Sequence, residues 1–125
     1  MFTGCGKVAK KVNIYNVVKE AFLTDKGYSD ELSKHMSQEV FKTINIYNAY
    51  PVNSPDYTKP IKVKFSLKED SQNNENSVVI VKMTYSITIT DSQDKIVGGS
   101  SDIQITFTVE NIKNEWYITK KEEPA

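Results

Sequence analysis

Residues 79–90 constrain this chain more than any other stretch. Val79, Val81, Met83, Tyr85, Ile87 and Ile89 alternate with Ile80, Lys82, Thr84, Ser86, Thr88 and Thr90. A period of two over that length specifies a strand with one face in a core and the other against water. The second face is polar but rich in threonine, which favours strands. The same alternation occurs in Ile61, Val63, Phe65 and Leu67 against Lys62, Lys64, Ser66 and Lys68. It returns in Ile103, Ile105, Phe107 and Val109, and closes with Trp116 and Ile118. Turn chemistry separates the strands: a polar, asparagine-rich loop at 71–76, a turn at Asp91 to Lys95, and Lys113-Asn114. Gly98-Gly99 falls inside the third strand, where a bulge or bend is expected. From Lys120 onward a charged tail is expected.

The first half carries the helical period instead. Val8, Val12, Tyr15, Val18 and Phe22, widened by Ile14, Val17 and Ala21, predict an amphipathic helix over 7–24 that ends at Asp25-Lys26-Gly27. Ser29-Asp30-Glu31 is a helix start, with a capping serine and acids in the first turn, and Ser37-Gln38-Glu39 offers a second start. Leu32, Met36, Val40 and Ile44 follow at four-residue spacing. They predict two short helices, 29–36 and 37–47, meeting at an angle; a single bent helix is the alternative. Pro51, Pro55 and Pro60 make 48–60 a loop, with Tyr50 and Tyr57 folding back over an apolar surface.

Helices first and four antiparallel strands after them give an α+β domain: N-terminal helices packed on a strongly curved four-stranded antiparallel sheet. At 125 residues there is room for one domain with a core of its own. The expected division is a tether over 1–7, a domain over 8–121 and a tail over 122–125.

Composition removes several functions. Sixteen basic and sixteen acidic side chains cancel, so no net positive field attracts nucleic acid. One cysteine allows neither an internal disulfide nor a thiolate zinc site. No apolar run approaches the roughly 20 residues needed to span a bilayer. His35, the only histidine, lies off the apolar stripe and reads as a surface residue. No acid is spaced to orient it for catalysis. Asp102, at the glycine bend, would need burial to act as a base and reads as an exposed turn residue. The expectation is no catalytic constellation, no metal site and no cofactor.

Six aromatic residues are candidate pocket or partner contacts: Tyr15, Tyr47, Tyr50, Tyr57, Tyr85 and Trp116. Such rings line pockets for small apolar ligands or anchor protein partners; otherwise they sit at the core edge with the hydroxyl in water. The threonine-rich outer face, from Thr84 to Thr90 with Thr106 and Thr108, is flat and uncharged. It desolvates more readily than a lysine-coated one and suits a partner, including a homodimer through that face.

Two resemblances extend this reading. As a lone residue Cys5 is a free thiol in an N-terminal tail. Yet Met1-Phe2-Thr3-Gly4-Cys5-Gly6, an apolar residue, a small polar one, glycine and cysteine, resembles the lipobox of bacterial lipoproteins. That resemblance implies lipid attachment at Cys5 and an extracytoplasmic, membrane-anchored location, with the membrane reached through the anchor alone. The strand–turn–strand ending Phe107-Thr108-Val109 to Asn114-Glu115-Trp116-Tyr117-Ile118, with the element order before it, resembles the NTF2-like superfamily over about residues 8–120. This superfamily includes ketosteroid isomerase, scytalone dehydratase and many bacterial lipoproteins, and a cystatin-like helix-on-sheet domain is the nearest competing fold. The resemblance implies a cone, and carries no catalytic residue over, because no motif matches. Three functions follow as expectations. The first is a non-enzymatic lipoprotein domain binding a protein or envelope component. The second is a small-molecule-binding or isomerase/dehydratase-like domain with an interior pocket. The third, an assembly domain of a secretion machine, ranks last.

Overall fold

A computed structural model describes residues 13–50, 52, 55–112 and 115–123. Cys5, the expected helix over 7–12 and the Lys113-Asn114 turn lie outside the described residues. Four short helices, α1 (Tyr15–Leu23), α2 (Asp30–Ser33), α3 (Gln38–Ile44) and α4 (Ile46–Ala49), precede four strands. The strands are β1 (Lys62–Glu75), β2 (Val78–Thr90), β3 (Ile96–Ile112) and β4 (Glu115–Glu122). They form one antiparallel sheet in chain order, β1-β2-β3-β4.

The period-two pattern predicts the core. Val81, Met83, Tyr85, Ile87 and Ile89 of β2 are buried, as are Ile105, Phe107 and Val109 of β3, Leu67 of β1 and Ile118 of β4. Against that inner face pack Ile14, Val18, Ala21, Phe22, Leu32, Met36, Phe41, Ile44 and Ile46 from the helical half. Burying a side chain of this size is worth about 1.5–3 kcal/mol, so this one apolar layer supplies most of the drive to fold.

Both serine caps form. Ser29 accepts from the Leu32 N–H at 3.1 Å and Ser37 from the Val40 N–H at 3.2 Å. The helix expected over 37–47 is broken at Asn45, which leaves helical geometry at ψ 126°. Its buried side chain donates to the carbonyls of Ala21 and Thr24, each at 2.9 Å. A break in one helix thus satisfies carbonyls at the end of another.

Four further expectations are corrected. First, α1 begins at Tyr15, with Asn13 and Ile14 ahead of it outside the helix. Second, the asparagine-rich segment 71–76 is mostly strand, because Gln72, Asn73 and Asn74 pair with Val81, Ile80 and Val79. Backbone pairing carried by the valine-rich start of β2 overrides side-chain polarity there. The turn is only Asn76-Ser77, both at positive φ (46° and 76°), as a two-residue hairpin requires. Third, the charged tail is strand through Glu122, with Lys121 and Glu123 half-buried. Fourth, the sheet is not strongly curled. Register shifts occur between Tyr85 and Ile87 and between Ile89 and Thr90, and the ladder resumes at Thr90↔Ile96. The glycine bend is a pair of local bulges, which kink a strand without rolling the whole sheet.

Gly99 lies between those bulges, paired with Thr88, at φ +147°, and a Cβ there would collide with the Ile87 carbonyl oxygen. Gly99→Ala is therefore expected to lower stability by roughly 3 kcal/mol in urea unfolding, combining steric collision with a strained backbone. Asn45→Ala, which strands the Ala21 and Thr24 carbonyls, should cost about 1–3 kcal/mol in the same measurement. A loss below half a kcal/mol in either variant would contradict the geometry.

Candidate functional site

The six aromatic residues do not converge. Tyr15 donates to the Leu67 carbonyl at 2.8 Å, and Tyr57 to the Val97 carbonyl at 3.2 Å. Tyr50 shares a 2.6 Å hydrogen bond with Ser100 Oγ. Tyr47 is exposed on α4. Tyr85 is buried in the inner face, its ring 4.8 Å from that of Phe22. Its hydroxyl donates to Glu123 Oε2 at 3.0 Å, and Lys121 Nζ lies 3.3 Å from the other oxygen of the same carboxylate. Burial and the adjacent Glu123 carboxylate raise the Tyr85 pKa far above its ordinary value. Tyr50 and Tyr57 hold β3 on either side of Gly98-Gly99, Tyr85 reaches past the end of β4, and Trp116 stands apart on β4. Four of the five tyrosines thus direct the hydroxyl to a partner within the chain.

Trp116 holds His35. The two rings stack with centroids 3.9 Å apart and an interplanar angle of 20°. His35 Nδ1 lies 3.0 Å from the Trp116 carbonyl oxygen, and since that oxygen can only accept, Nδ1 carries the proton. The Ile118 N–H donates to the His35 carbonyl at 2.8 Å, and Met36 forms a parallel bridge to Ile118. His35 is therefore not the free surface residue its polar neighbours suggest. It secures the α2–α3 segment along the edge of β4. No local sequence signal finds this clamp, whose two halves are 81 residues apart.

The inner face is occupied by packing. Met83, Ile105 and Phe107 are fully buried, while Val63 and Phe65 on β1 are half-buried against them. Asp102 is exposed, at φ 51°, with its N–H donating to Ser86 Oγ at 2.9 Å. Buried Asp91 accepts from the N–H groups of Gln93 and Lys95 and shapes the β2–β3 turn.

The outer face is different in kind. Thr84, Ser86, Thr88 and Thr90 run down its centre on β2, all half-buried. Register sets the neighbours in rows: Lys68, Thr84, Gln104; then Lys64, Thr88, Gly99; then Lys62, Thr90, Ile96. Recesses open on this face. One, about 460 Å³, is lined by Ser86, Thr88, Ile96, Gly99 and Ser101 among others, none of them charged. Another, about 250 Å³, has Asp70, Lys82, Thr84, Gln104 and Thr106 around it, with Thr84 Oγ1 donating to Asp70 at 2.6 Å. Ile96, at the rim of the larger recess, is 68% exposed.

Comparison with protein-family models and with curated proteins finds no match for this chain.

The raised Tyr85 pKa has a signed consequence. Between the ordinary value of 10.0 and the raised folded value, the folded state keeps a proton that the unfolded state loses. The stabilisation is complete below pH 10.0 and declines as pH rises above it. Tyr85→Phe should flatten that alkaline decline in denaturant melts, and absorbance titration should show one fewer late-ionising tyrosine. An unchanged alkaline slope would contradict the assignment.

Proposed function

We propose that this chain is a non-enzymatic, extracytoplasmic domain that binds a protein or envelope component through the outer face of its sheet, held at the membrane by lipid on Cys5. The observation that carries the reading is the outer face itself. Its central hydroxyl stripe and its uncharged recess face away from the helices, while the apolar inner face is packed by them. Hydroxyls cost less to desolvate than charges, so a face built of them is suited to close contact. The chemically capable groups elsewhere serve structure: Tyr85 donates to Glu123, and His35 to Trp116. The lipobox-like run at Cys5 supports the address, and the helix-then-meander order supports kinship with the NTF2-like plan in a shallow form. The interior-pocket alternative has less support, because Met83 and Phe107 fill the space such a pocket needs.

Two measurements test the proposal. In cells carrying the gene with its natural upstream DNA, Cys5→Ala should move the protein from the membrane to the soluble fraction. A photo-crosslinking residue at Thr88 should give cross-linked products, and one at Asp30 on the helical side should give none. Equal yields from both positions, or none from Thr88, would sink the outer-face reading.

A further inference from the structure

We infer that the partner of the outer face is a second copy of this chain, docked about a twofold axis running along β2. This rests on the outer-face reading above and deepens it by naming the occupant.

Charge complementarity carries the inference. On the face's upper half, β1 carries Lys62, Lys64 and Lys68 on one flank, and β3 carries Asp102 on the other. The hydroxyl stripe of β2, Thr84 to Thr90, lies between them, and exposed Lys82 continues the same row below Thr84. Lys62 is paired with Asp94 at 3.3 Å and Lys68 with Asp70 at 3.8 Å. Lys64 is exposed and makes no ion pair among the described residues. A twofold axis along β2 lays β1 of one copy over β3 of the other, and does so twice, as an isologous interface must. Lys64 then lies over Gly99 of the second copy, where the recess leaves room for its methylene stem. Its ammonium points toward Asp102, one row away at about 7 Å along the strand. Lys62 falls over the exposed Ile96 in the same register. An axis across the strands would instead set the three β1 lysines of both copies against each other, whereas the axis along β2 brings together only Lys82 of each copy, with Asp70 lining the same recess, so the charges favour the first arrangement.

Area is consistent with a modest dimer. Thirteen residues of β2 set the length of the face. At about 3.4 Å per residue and 4.8 Å between strands, the face measures roughly 40 Å by 15 Å, on the order of 600 Å² per copy. Specific interfaces begin near that size, about 600–1,000 Å² per partner. Sheets packed face to face with nearly aligned strands are a standard arrangement.

Analytical ultracentrifugation of the full chain at about 10–100 µM, where a micromolar complex is populated, tests the pairing. The unmodified chain should sediment as a dimer. Lys64→Glu should weaken the dimer by at least about tenfold, because it sets like charges together. Lys34→Gln, on the helical side, should leave it unchanged. Mixing the Lys64→Glu chain with an Asp102→Lys chain should restore a heterodimer, since both contacts then pair opposite charges; circular dichroism melts confirm that each variant is folded. A monomeric unmodified chain, or a dimer indifferent to Lys64→Glu, overturns the pairing. The Thr88 cross-link separates the two readings. A product joined to a different protein keeps the outer-face reading and overturns self-association, whereas no product overturns both.

Discussion

Strand β2 is hydrogen-bonded on both sides, and alternate residues along most of its length are buried on one face. The remaining architecture follows from that constraint. A strand paired on both edges has no freedom to twist its apolar face elsewhere, so the helices must come to it. They all come to the same face. The result is two layers with one core between them, and an opposite face left to whatever the solvent side offers.

Polar residues close the fold at its seams. Asn45 caps carbonyls of α1, Asp91 holds the β2–β3 turn, and His35 with Trp116 fastens a loop to the edge of β4. An exposed strand edge invites pairing with another chain, and covering it is a common remedy. The tyrosine hydroxyls are used in the same way. Those of Tyr15 and Tyr57 hold backbone carbonyls, and those of Tyr50 and Tyr85 hold the side chains of Ser100 and Glu123.

That surface has a defined grammar. Hydroxyls in the centre are easily desolvated, an uncharged recess opens beside Gly99, and lysines and an aspartate flank the stripe on opposite sides. A lipid anchor at Cys5 would also confine copies to two dimensions, raising their effective concentration. A face of only modest area could then associate at low expression.

The element order, the serine caps at Ser29 and Ser37, the buried face of each strand and the bulge at Gly98-Gly99 were all legible in the sequence. They depend on local periodicity, on short-range capping and on glycine's backbone freedom, all of which are written within a few residues. The strand character of 71–75, the helix break at Asn45 and the clamp formed by His35 and Trp116 were not legible, since each depends on a partner distant in the chain. The curl of the sheet was misjudged for the same reason: a glycine pair announces a bulge, but the whole ladder determines whether the bulge bends the sheet. The sequence by itself determined which face of each strand turns inward and which is polar. Only the tertiary structure decided which polar groups are taken up as seams and which stay free, because hydrogen bonds between remote residues leave no period in the sequence.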